Sequence, residues 1–142
     1  MAKGKMVIFT SPASAEKEGE FNRWYNEVHI PEIAAAAPKI SGATRYLASG
    51  TQIPGQPAPP QPYMAVYHLD DVAEGLGQMF AGAAGYTPTD ATGEGGIPTA
   101  VVYEQIWARE AVRQIRSVGA EVELFLRVPP EDVDVAFASA AR

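Results

Sequence analysis

Phe21-Asn22-Arg23-Trp24-Tyr25-Asn26-Glu27-Val28-His29-Ile30-Pro31-Glu32-Ile33 is the stretch that decides the fold. Phe21, Trp24, Tyr25 and Val28 fall at i, i+3, i+4 and i+7, one apolar stripe of an α-helix. Glu16, Glu18 and Glu20 put negative charge at its start, where the macrodipole favours it. Arg23 and Glu27 are spaced to pair on the wet side. Ile30 precedes a proline and is pushed away from α geometry, so a break or kink is expected at His29-Ile30. Pro31 can then open a second short helix, continued by Glu32 to Ala37 and stopped by Pro38.

Working outward, Lys5 to Thr10 is a β-branched and aromatic run that reads as a first strand. Gly42 to Ala48 reads as a second. Gly50 to Pro62 holds five prolines, cannot be a strand interior, and reads as a stiff extended loop. This loop is either a surface excursion or a wall over a pocket or a subunit contact. Tyr63 to Leu69 is apolar at both parities, as a strand covered on both faces would be. Asp70-Asp71 can cap a helix with Val72, Leu76, Met79 and Phe80 facing inward. Thr99 to Trp107 reads as a fourth strand, with Val101, Tyr103, Gln105 and Trp107 on one face. Beyond Arg109, Val112, Ile115 and Val118 suggest a helical turn or two. Val122 to Val128 alternates like a strand, and Pro129-Pro130-Glu131-Asp132 opens a further helix. The expected division is residues 1–108 as one domain and 109–142 as a C-terminal extension that packs on it or on a partner subunit.

The element order is β-α-β-β-α-β, an α+β chain on the ferredoxin-like plan with a four-stranded antiparallel sheet. Both helices would cover one sheet face. The other face is too apolar to meet water, and a two-fold dimer in which two sheets face each other as a barrel would cover it.

Composition bounds the function. Of 142 residues, 46% are apolar and 20% charged, as in a globular domain with a real core. No cysteine is present, which excludes disulfides, thiol catalysis and zinc-thiolate sites. A net charge of −6 argues against nucleic-acid and anionic-membrane partners. Met6 to Phe9 is too short an apolar run for a signal sequence or a span. A soluble cytoplasmic protein is the expectation. Gly93-Glu94-Gly95-Gly96 lacks the strand and the Gly-Lys-Ser/Thr of a phosphate cradle, and no dinucleotide fingerprint or Ser/His/Asp order is present.

Phe21-Asn22-x-Trp24-Tyr25-x-x-Val28-His29-Ile30-Pro31-Glu32 resembles the helix motif of EthD-like proteins of the dimeric α/β-barrel superfamily. Ala43-Thr44-Arg45-Tyr46 and Tyr63-Met64-Ala65-Val66-Tyr67-x-Leu69 continue the resemblance, which covers residues 5 to 107. Some relatives carry two copies of the motif. The single copy here implies that a second subunit supplies the other half-barrel. The Pro-rich loop and the C-terminal extension lie outside the family pattern. The superfamily includes cofactor-free monooxygenases, polyketide cyclases, isomerases, lyases and haem-handling enzymes, so the resemblance implies a fold and leaves the activity to the site.

His29, at the expected helix end, would have its pKa raised by the dipole. Tyr25 lies one turn earlier on the same face. An imidazole beside a phenol, with a cavity in front, suits general acid/base work, so His29 and Tyr25 are the catalytic candidates. The competing role for His29 is a C-cap. Trp24 reads first as the residue locking helix to sheet, and joins Tyr46, Tyr67, His68, Tyr103, Gln105 and Trp107 as candidate substrate contacts. His68 is either a surface residue or the second member of an acid/base pair, according to its facing. Arg45 would face water, pair with Glu27 or Glu32, or anchor an anion. No spacing matches a metal signature. The leading hypothesis is a cofactor-independent enzyme acting on a small hydrophobic molecule, aromatic or polyketide-like, by His-mediated proton transfer in a cyclisation, isomerisation or elimination. A cofactor-free monooxygenase, a non-catalytic binding or accessory protein, and a haem protein with His29 as axial ligand are the alternatives.

Overall fold

The computed structural model describes residues 1–93 and 99–109, together with the backbone of two strands, Arg113–Val118 and Glu121–Leu126. The chain divides into two compact units, Met1–Gln105 and Ile106–Arg142.

In the first unit β1 (Gly4–Thr10) is central. It pairs antiparallel with β3 (Tyr63–Leu69) on one side and with β4 (Thr99–Glu104) on the other. The strand β2 (Ile40–Leu47) pairs antiparallel with β3, giving the order β2-β3-β1-β4. This is the ferredoxin-like arrangement. Alternation assigns the two faces. Met6, Ile8 and Thr10 of β1 and Ala65, Tyr67 and Leu69 of β3 are buried in one core with Phe21, Tyr25, Ile33 and Met79 of the helices. Lys5, Val7 and Phe9, with Met64, Val66 and His68, take the opposite face. At one end β4 and the start of α3 approach so closely that a Cβ on Gly4 would lie 2.5 Å from a Val72 methyl carbon, so glycine is required there.

The first crossover is one continuous helical segment. The helix α1 (Glu18–Trp24) runs into a π turn (Tyr25–His29) and on into α2 (Ile30–Ala36). The expected break at His29-Ile30 does not occur, since Ile30 is helical at φ −62° and ψ −45°. The Ile30 N–H bonds back to the Tyr25 carbonyl five residues away. This wider turn accommodates Pro31, whose ring would clash with the carbonyl four residues back in a regular α-helix. The extra residue also rephases the helix. An unbroken 3.6 period would continue the buried stripe through Val28. Instead Phe21, Tyr25, Ile33 and Ala37 are buried at spacings that are multiples of four, and His29 takes the inward position that Val28 would have held.

The second crossover is α3 (Val72–Gly82), capped by the Asp71 carboxylate, which accepts the Glu74 N–H at 2.9 Å. Met79 faces the core, but Phe80 is 69% exposed, against the inward facing expected for it. One helix residue separates those two directions by about 100°. The Pro-rich connection from β2 to β3 is closed at its base by the Ala48 N–H and the Pro62 carbonyl at 2.7 Å. It turns at Gly55, whose φ is +81°, and residues 49–60 are exposed.

Two expected elements differ. The fourth strand ends at Glu104, where its partner β1 begins at Gly4, so Gln105 and Trp107 are not strand residues. In the second unit Arg113–Val118 is a strand and not a helical turn. We name it β5, and it pairs antiparallel with β6 (Glu121–Leu126), Arg113 opposite Leu126 and Val118 opposite Glu121. Pairing with a partner strand overrides a short, ambiguous apolar period. The helix expected from Pro129 lies outside the described residues.

Candidate functional site

His29 sits where the π turn directs it, among rings. Its imidazole stacks on Trp24, with centroids 4.4 Å apart and planes at 16°. Tyr25 meets it edge-on at 5.2 Å and Tyr86 edge-on at 5.9 Å. The segment after α3 closes over this cluster. The Trp24 indole N–H donates to the Thr87 carbonyl at 3.0 Å, and Glu32 accepts the Thr87 N–H at 2.9 Å and its hydroxyl at 2.5 Å. Lys17 pairs with Asp90, and the Tyr86 hydroxyl donates to the Met79 carbonyl at 2.8 Å. Those two Thr87 bonds hold the Glu32 carboxyl below its ordinary pKa.

The helix does not end at His29, so neither the dipole argument nor the C-cap role applies. Burial lowers the imidazole pKa, and Glu32 opposes this only in part. His29 is therefore a neutral imidazole near pH 7. Its Nδ1 is buried and has no hydrogen-bond partner among the described residues. The Tyr67 hydroxyl is the other buried side-chain atom in that condition. Tyr67 is fully buried, and desolvation pushes its phenol strongly upward, with Tyr25 and Tyr86 acting in the same direction. The same two tyrosines meet His29 edge-on.

Tyr67 also lines a cleft of about 110 Å³ between α2 and β2, walled by Ile30, Ile33, Ala34, Ile40, Ser41, Gly42 and Ala43. An apolar cavity of roughly 150 Å³ accepts benzene, which sets the scale for what this one holds. A wider groove of about 440 Å³ runs outside the helix, lined by Glu20, Arg23, Trp24, Glu27, Val28, Pro88, Thr89 and Asp90. His29 lines neither hollow. Trp24 forms part of the outer groove while stacking on His29.

The structure brings together Trp24, Tyr25, His29 and Tyr67 on the helix side of the sheet. Tyr25 touches His29 through its ring edge. Tyr46, His68 and Tyr103 lie on the opposite face, in register with Met64, Lys5 and Lys5 respectively. Tyr46 is 49% and Tyr103 61% exposed. His68 therefore does not join His29. Gln105 follows β4, its N–H donating to the Lys3 carbonyl at 2.7 Å, and Trp107 belongs to the second unit. Among the described residues no three His, Asp or Glu side chains are grouped as metal ligands, and no helix is long and apolar enough to cross a membrane.

Tyr86 and Asn26 were missed as neighbours of the site. Of the alternatives for Arg45, the pairing with Glu27 or Glu32 is not made. Its guanidinium lies over Tyr25 at 4.4 Å, Phe21 at 5.2 Å and Tyr63 at 5.3 Å. It donates to the side-chain carbonyls of Asn26 at 2.8 Å and Asn22 at 2.9 Å, and not to Glu27 or Glu32. The available signal was the i, i+4 spacing of the two asparagines on the helix.

No protein-family model and no curated protein matches the chain. A solved structure that resembles it is the crystal structure of an EthD-like protein from Ralstonia eutropha. The TM-score is 0.49 and the identity 16%, over 77% of this chain and 96% of that one. The ferredoxin-like assignment rests on the strand order and the two helical crossovers, and this likeness transfers no residue role.

Proposed function

We propose that the chain is an EthD-like protein that works as a homodimer on a small hydrophobic molecule, held between the helices and the sheet, with His29 as the proton-transferring group. The observation that carries this reading is the pair of unpartnered buried atoms, His29 Nδ1 and the Tyr67 hydroxyl, both on the helix side of the sheet. Buried polar groups normally have partners, and a pair left open is consistent with a ligand that supplies them. A neutral imidazole is a base ready to accept a proton at pH 7, and a phenol of raised pKa is a donor for an oxygen that becomes negative. Together they suit cofactor-independent removal of a proton beside a carbonyl, the shared step of cyclisation, isomerisation and elimination. Dimerisation is supported by the apolar face that the helices do not cover, which carries the partly exposed Val7, Phe9, Met64 and Val101.

Binding without chemistry is the second reading, and the enclosure of Nδ1 favours it. The test is to extract any small molecule that the purified protein retains, identify it by mass spectrometry, and incubate it with the wild type and with His29→Gln. Conversion by the wild type that falls about 100-fold in the variant, the scale of a lost general base, supports proton transfer. Recovery of the molecule unaltered supports a carrier. Equal conversion by both proteins removes His29 from the reaction.

A further inference from the structure

Arg45 is a half-buried cation with no carboxylate against it among the described residues. It rises from β2 opposite Ala65, which is 1% exposed, so its stem leaves the sheet on the helix side. Three aromatic rings surround the guanidinium. Its two hydrogen bonds go to the neutral carbonyls of Asn22 and Asn26. The Asn22 amide is held in place from behind, its N–H donating to the Tyr63 hydroxyl at 3.1 Å, which in turn donates to Glu18 at 2.6 Å. Glu18 is thus engaged by Tyr63 and lies outside ion-pair range of Arg45. Among the described residues the ion pairs are made by Lys17 and Lys39, in a chain with 17 acidic residues.

Carbonyl dipoles and ring quadrupoles orient a guanidinium but do not neutralise it. A partly desolvated charge is ordinarily matched by an opposite one, and among the described residues no carboxylate pairs with it. Burial accordingly lowers the Arg45 pKa. Arginine has five N–H donors and the two asparagines take two, which leaves three for a ligand.

We propose that Arg45 is the anchor for the carboxylate of a small ligand, received on the N–H donors that Asn22 and Asn26 leave free. A carboxylate matches the planar fork with two parallel bonds and carries one charge, as the single guanidinium does. A phosphate dianion would bring a second charge into an aromatic surround that offers no second cation. The aromatic rings that hold the guanidinium favour an organic acid over a bare inorganic anion. The two asparagines are positioning residues. This assigns an acidic ligand class, goes beyond the proton-transfer reading and does not rest on it.

The test uses the full chain, labelled with nitrogen-15, and follows the Arg45 Nε–Hε signal and the backbone amides of Asn22 and Asn26. Sodium benzoate is the probe, benzamide its neutral counterpart, and sodium chloride the control at equal ionic strength. The expected result is a saturable shift of these signals with benzoate alone. In Arg45→Gln the benzoate shifts of the Asn22 and Asn26 amides vanish. In Arg45→Lys binding weakens about tenfold, the scale of one lost charge-assisted hydrogen bond. Equal shifts with benzamide or chloride, no shift with benzoate, or benzoate shifts that survive in Arg45→Gln overturn the proposal. The wild-type comparison of benzoate with benzamide decides the matter even if a variant fails to fold. Because the readout is binding, its failure is distinct from a failure of His29→Gln to alter turnover.

Discussion

The imidazole of His29 lies flat on the indole of Trp24, with centroids 4.4 Å apart and planes at 16°. A π turn one residue longer than an α turn puts it there, and the same turn removes it from any helix end. Stacked and largely enclosed, the ring is favoured in its neutral form, and its pKa falls below the ordinary value.

The sign of the pH dependence follows. A depressed histidine pKa means that the unfolded chain binds the proton more readily than the folded one. The stability contribution is complete above the unfolded value near about 6.5 and is lost as pH falls from there toward the folded value. Urea unfolding of the wild type between about pH 7.5 and about pH 5.5 should show stability falling with acid. In His29→Gln that part of the slope disappears. An equal slope in both proteins would show that His29 is not buried as the stack requires.

The Tyr67 hydroxyl gives a prediction of opposite signs for stability and binding. An orphaned buried hydroxyl costs about 1–3 kcal/mol, so Tyr67→Phe should raise the unfolding free energy of the ligand-free protein by about 1 kcal/mol. The same change should weaken retention of any small molecule that co-purifies with the protein. Denaturant unfolding and mass spectrometry of the extract check the two halves. Loss of stability in Tyr67→Phe would mean that the hydroxyl has a partner in solution.

The proposed dimer is tested on β4, where neighbouring residues face opposite ways. Val101 shares the uncovered face with Val7, and Val102, 42% exposed, shares the helix side with Met6. Val101→Glu should convert the dimer to monomer by sedimentation, because it places an unpaired charge in the interface. Val102→Glu should leave the dimer intact. If both or neither dissociate, this face is not the interface.

These relationships differ in how far the amino-acid order discloses them. The strands β1, β2 and β3 and the capping Asp71 were readable from local pattern and cap chemistry. The continuity of the helix through Pro31 was not. The proline rule describes a regular α turn, and only the wider π turn evades it, which moved His29 into the place of Val28. The facing of β3 was also hidden, because it is apolar at both parities and neither Tyr67 nor His68 marks the inner side. The end of β4 at Glu104 depends on where β1 begins, a long-range fact. The pairing of Arg45 with Glu27 or Glu32 fails because charge pairs with charge only by default, whereas here the guanidinium meets Asn22 and Asn26.

The most direct measurement is a crystal structure of the protein as purified, read for density between the helices and the sheet. The account predicts a small molecule on the helix side, with a polar atom within hydrogen-bond distance of the Tyr67 hydroxyl and His29 close by. Density for a ligand only on the opposite sheet face, or an ordered water satisfying Tyr67 with no ligand on the helix side, would contradict it.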